Sequence, residues 1–138
     1  MRFPRLTLAV AGTVFVAIGL AFLLNPIGIA RIVSLQLTGS GPVAIRAVDG
    51  GLQLGLGIFF WVATMRERWT RAGLGAVILT CGGLAFGRAV GMMIEGRFDR
   101  VHTGFIGLEL LGVAVGAAAF GRARAVYEAS SLERRRLE

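Results

Sequence analysis

Arg46, Asp49, Gln53, Arg88 and Glu109 are the residues of this chain whose types and spacing suggest chemistry. Each lies in a stretch that otherwise reads as membrane core. An ionisable side chain there costs about 2.5–3.5 kcal/mol at a helix centre, so each is a candidate functional residue that needs a partner. Arg46, Asp49 and Gln53 recur at +3 and +7, which is one face of an α-helix. Arg88 and Glu95 are seven apart, as are His102 and Glu109, so two more helices carry polar faces. At 1.5 Å per residue, these faces fall at depths of roughly 5 to 15 Å in the same half of a membrane.

The charges within this set balance. The expected pairs are Arg88 with Glu109, and Arg46 with Asp49 or Glu109. Two guanidinium forks in a small pocket open to the outside would suit an anionic or carbonyl group. The same residues also read as an ion-pair network that fixes helix register, with Arg46 snorkelling to the interface. Both readings stay open. His102, at the rim, reads as a headgroup-level residue, and Gln53 as a hydrogen-bond partner across helices.

Other chemistry is absent. One Cys, Cys81, and one His exclude the usual zinc spacings and any intrachain disulfide. No HExxH, Walker loop or evident Ser-His-Asp arrangement is present. No catalytic residue, metal ligand or cofactor is expected, and the chain is not expected to be an enzyme.

The elements that position the polar set are apolar. The chain has 138 residues, 55% of them hydrophobic, with a mean hydropathy of +0.72. Charged residues make up 17%, against roughly 25% in soluble domains. Four segments are long enough to span a bilayer, at about residues 6–24, 43–65, 72–94 and 101–120. The first is longer than a signal-peptide core and runs into Asn25-Pro26 rather than a cleavage site, so it reads as a retained helix. Residues 25–42 are too short of apolar residues to span and read as a short interfacial helix followed by a Gly-Ser-Gly-Pro turn. The link RERWTRA reads as a short basic turn, and the tail 121–138 as a basic surface helix. The fold expected is therefore all-α: one domain over residues 1–138, an integral membrane four-helix bundle with a short interfacial helix after helix one.

Every basic residue is Arg, and net charge is +7. The arginines flank apolar segments without interleaved aromatics, which argues against nucleic acid. Arg2, Arg5, Arg66, Arg68, Arg71, Arg122, Arg124 and Arg134–Arg136 lie on one side, and only Arg31, Arg97 and Arg100 on the other. The positive-inside rule then places both termini in the cytoplasm. The absence of Lys, with abundant Gly and Ala, suggests a GC-rich bacterial genome and hence the bacterial inner membrane. Small residues recur at helical spacing as Gly51 and Gly55, Gly83, Gly87 and Gly91, and Gly112 and Gly116. In lipid such rows let backbones approach, and packing within the bundle is their expected role, with homo-oligomerisation as the alternative.

The stretch IRAVDGGLQLGLGIFF, Ile45–Phe60, resembles the hallmark of a family of small bacterial four-helix membrane proteins, the domain-of-unknown-function 4345 family. Asn25-Pro26 closing helix one, Arg88 followed by Gly91, and Glu109 fit the same resemblance, which covers nearly the whole chain. It implies the four-helix membrane architecture and makes Arg46, Gly50, Gly51, Gly55, Arg88 and Glu109 signature positions. Asp49 fits the pattern less well. The resemblance implies no activity.

The reading favoured by small size, glycine-rich faces and a basic tail is an accessory or assembly subunit of a larger bacterial membrane complex. Its expected partners are the lipid bilayer, other membrane subunits or further copies of itself, and anionic headgroups at the basic end. The alternative is a binder or transporter of a small amphipathic or anionic ligand that uses the polar cluster.

Overall fold

The computed structural model describes residues 2–33 and 35–137, with side chains through Tyr127. The described residues form helices throughout and no strands. In chain order these are α1 (Arg2–Leu24), α2 (Pro26–Ile32), α3 (Gly41–Ile45), a π-helical segment (Arg46–Leu52), α4 (Gln53–Met65), α5 (Glu67–Glu95) and α6 (Arg100–Leu137). Four stretches are long and apolar enough to cross a membrane: α1, Gly41–Met65, α5 and Arg100–Tyr127.

Local chemistry sets the boundaries. Pro26 has no N–H to continue α1 and instead opens α2. The Asn25 side chain caps α2 by accepting from the Gly28 N–H at 3.0 Å. α5 ends where Gly96 adopts a left-handed φ of 61°, which a Cβ would oppose. One boundary differs from the sequence reading. The link RERWTRA is not a turn, because only Arg66 leaves helical geometry and α5 begins at Glu67. The link contains no Gly or Pro to break a helix, and Glu67 suits the positive end of the α5 dipole. The tail is helical, as expected, and continues α6 as one helix to Leu137. The side chains of Arg134–Arg136 lie outside the described residues.

The helices pair as α1 with α4 and α5 with α6, and the two pairs meet less extensively. Their common core, Leu8, Phe15, Phe60, Ala63, Leu74, Val77, Ala119 and Ala123, lies toward the end that carries the termini. Phe15 meets Phe60 edge to face, with ring centroids 5.3 Å apart. Thr70, fully buried, donates across the α4–α5 turn to the Ala63 carbonyl at 3.3 Å. Elsewhere large apolar side chains point outward, Leu24, Leu79 and Ile94 among them, as a lipid-facing surface requires.

Glycine governs the α1–α4 contact. A Cβ on Gly19 would lie 2.7 Å from the Leu54 nitrogen and 2.8 Å from the Gly50 carbonyl oxygen. One on Gly57 would lie 2.7 Å from the Val16 nitrogen. These neighbours are backbone atoms and cannot move aside, so the two helices touch main chain to main chain. Gly112 and Gly116 make room on α6 for side chains of α5, those of Cys81 and Ile78. The expected packing role does not hold for Gly55, Gly83, Gly87 and Gly91, beside which a Cβ would find nothing within 4 Å, and Gly51 is nearly as open. Helical spacing identifies a row of glycines but not the side of the helix that a partner takes. Gly19→Ala is therefore expected to destabilise the protein in detergent by at least ~1 kcal/mol, whereas Gly87→Ala leaves its thermal midpoint unchanged. Equal midpoints for the two variants would show that the α1–α4 approach does not limit stability.

Candidate functional site

Beside the core, between α1 and the α5–α6 pair, lies a groove of about 790 Å³. It runs along α1 from Phe3 to Phe22, with Val77, Leu84, Leu108 and Val115 on the opposite wall. At 1.5 Å per residue that length is about 28 Å. Its lining is apolar except at one end, where Asp49, Gln53, Arg88, His102 and Glu109 converge. Ile29, Ile32 and Val33 of the α2 region border the same end, so the interfacial helix lies beside the polar mouth.

Arg88 of α5 and Glu109 of α6 form the ion pair expected of them, with Nε to Oε1 at 2.8 Å. The guanidinium also stacks over Phe105, 4.8 Å from the ring centroid, so it is held on two sides. The pair is not sealed in the protein: the Arg88 side chain keeps 29% of its surface, while that of Glu109 keeps 10%. Oε1 of Glu109 is satisfied, but Oε2 is buried and has no hydrogen-bond partner. Among the described residues only one other buried side-chain polar atom, Arg5 Nε, lacks one.

The π-helical segment corrects the face assigned to Arg46. On an α-helix, Arg46, Asp49 and Gln53 would align. The segment Arg46–Leu52 is wound more widely, with i→i+5 geometry, and this breaks the alignment. Asp49 and Gln53 stay together at the groove, where they line the same end as Arg88. Arg46 turns instead to α1 and donates from Nε to the Leu23 carbonyl at 3.1 Å. That carbonyl belongs to the last turn of α1, where acceptors are left free and the helix dipole is negative. Among the described residues Arg46 bridges neither Asp49 nor Glu109 and does not line the groove. The expected pair of free guanidinium forks is thus absent: one arginine is engaged by Glu109, the other by backbone.

Sequence reasoning missed the π segment, the close contacts of Gly12, Gly19, Gly57 and Gly73, and the role of Asp99. The Ala-Val-Asp-Gly-Gly run within an apolar span was the available hint for the first. Gly50, a signature position by resemblance, is buried in the π segment, where a Cβ would lie 2.8 Å from Leu23 Cγ. No group of three or more metal-ligating side chains occurs among the described residues.

Asp99 caps α6. Its Oδ1 accepts from the His102 N–H at 2.9 Å, and its Oδ2 lies 2.8 Å from His102 Nδ1, which fixes the imidazole at the groove mouth. The His102 backbone N–H is the main reason that the Asp99 carboxyl titrates below its ordinary value. A lowered folded pKa means that the cap contributes above the unfolded value and loses this contribution as pH falls through the folded one. Protection of the amides of residues 101–103 against hydrogen exchange is expected to fade only below the ordinary carboxylate range, about pH 3.9. Asp99→Ala should remove that protection at neutral pH. Equal protection in variant and wild type would show that the cap does not hold this turn.

No curated protein and no solved structure matches the chain. Residues 3–120, which include most of each span and every polar residue at the groove mouth, match the family described as domain of unknown function DUF4345. The chain belongs to that family.

Proposed function

We propose that this multi-pass membrane protein binds an amphipathic small molecule in the groove between α1 and the α5–α6 pair. The observation that carries the reading is the groove itself: apolar along its length and polar at one end. Its volume falls in the range of roughly 300–1,000 Å³ typical of small-molecule sites. An apolar tail would lie against Phe15, Ile18 and Leu108, with its head beside Arg88 and Glu109. With the termini in the cytoplasm of a bacterial cell, the polar mouth would face outward. The arginine-rich terminal end supports that orientation. There Arg122 stacks on Phe3, and Arg71 on Phe120 and Tyr127, leaving cations at a depth suited to anionic headgroups.

One observation favours a second reading, an accessory subunit or oligomer. Gly83, Gly87 and Gly91 form a row beside which, among the described residues, a Cβ would find nothing within 4 Å, and only 11% of the apolar window in α6 is buried. Such surfaces suit close contact with another transmembrane helix.

The test is purification in mild detergent followed by native mass spectrometry. Wild type is expected to carry a small amphiphile, and Ile18→Trp, which fills the groove near its polar end, to lose it without loss of folded yield. A bare wild-type protein, or an adduct indifferent to Ile18→Trp, would overturn the groove reading. Stoichiometric partner chains released by Gly87→Leu would establish the second reading in its place.

A further inference from the structure

The polar mouth narrows the class of molecule that the groove can take, given the binding role proposed above. Three features bear on its head group. First, Oε2 of Glu109 is an acceptor on a side chain nine-tenths buried, and nothing donates to it. A buried acceptor without a partner costs roughly 1–3 kcal/mol, and more when ionised. Oε1 is engaged by the Arg88 guanidinium, so Oε2 is the acceptor left over. Second, the groove mouth holds two carboxylates, Asp49 and Glu109, against one guanidinium. That guanidinium is already held between Glu109 and Phe105. Third, Arg46, the other cation at this depth, is directed to the Leu23 carbonyl and contributes nothing to the lining. The mouth thus offers acceptors and surplus negative charge. An acidic head would bring a third negative charge to it and leave Oε2 unpaired.

We propose that the occupant is an amphiphile whose head donates hydrogen bonds, a hydroxyl or a protonated amine, and that Glu109 Oε2 and the Asp49 carboxylate receive them. Gln53 lines the groove beside Asp49, and Arg88 holds Glu109. The apolar wall then accepts a single chain and carries no further polar requirement. The two sources of the donor differ in charge. An amine would gain from both carboxylates, whereas an alcohol would gain mainly from the unpaired Oε2.

Three probes of equal chain length separate these outcomes: hexadecanol, hexadecylamine and hexadecanoate. Each is offered to delipidated full-length protein in detergent, and retention is read by native mass spectrometry. The alcohol, the amine or both should be retained at least about tenfold better than the acid, as befits a hydrogen bond to a charged group. Glu109→Gln should cut retention of the preferred probe by about the same factor. Asp49→Asn, at a half-buried residue whose neutralisation leaves the Arg88–Glu109 pair intact, should weaken the amine more than the alcohol. It decides the matter if Glu109→Gln does not fold. Strongest retention of hexadecanoate, lost on Arg88→Ala, would overturn the donor-head proposal while keeping the groove as a binding site. Retention of none of the three, or retention unchanged by Ile18→Trp, would overturn the groove reading and this proposal with it.

Discussion

The architecture depends on the main-chain contact between α1 and the helix formed by the π segment and α4. Gly12, Gly19, Gly50 and Gly57 lie at that contact, and a side chain at any of them would meet its neighbours at 3 Å or less. Lipid supplies no hydrophobic drive for helices to associate, so close van der Waals contact and the hydrogen bonds it permits must hold them. Because α1 is committed to α4, it cannot also seal against α6. The core packs around α4 and the terminal ends of the helices, and a groove is left along α1. The groove is thus the counterpart of the tightest contact in the molecule.

The same commitment organises the polar end. The wider π turn lets Gly50 reach α1 and sends Arg46 to the free carbonyl of Leu23, while Asp49 and Gln53 face α5 and α6. Arg88 and Glu109 then bridge α5 to α6 from the other side. Each cation at this depth is satisfied by a different means, one by backbone and one by carboxylate and aromatic ring. What remains unsatisfied is an acceptor, Glu109 Oε2.

Much of this was legible in the amino-acid sequence. Continuous apolar runs of bilayer length identified four spans, because lipid allows few other ways of satisfying the backbone. Asn25-Pro26 marked the first helix end, since Pro and an Asx cap leave little freedom. Arg88 and Glu109 could be paired because an isolated charge there is costly and few partners lie at the same depth. The site was less legible. A helical wheel assumes 3.6 residues per turn, so a π turn at Arg46–Leu52 silently rotates everything before it, and Arg46 was assigned to the wrong face. Glycine rows were visible, but Gly83–Gly87–Gly91 looks no different on paper from Gly12–Gly19 on α1. Only tertiary contact tells which is covered. The groove itself has no local signature, because it is made of ordinary apolar residues contributed by helices distant in sequence.

The wall formed by Leu6, Val10 and Val14 lines the groove and is also open to the outside, with exposures of 62, 56 and 43%. In a bilayer that outside is acyl chain, so the cavity is continuous with the lipid phase along its flank. An occupant arriving sideways never crosses water. Its effective concentration is then set by how strongly it partitions into the membrane, and its search is two-dimensional. Modest intrinsic affinity would suffice for high occupancy, and the chemistry at the mouth would sort candidates already gathered by the bilayer.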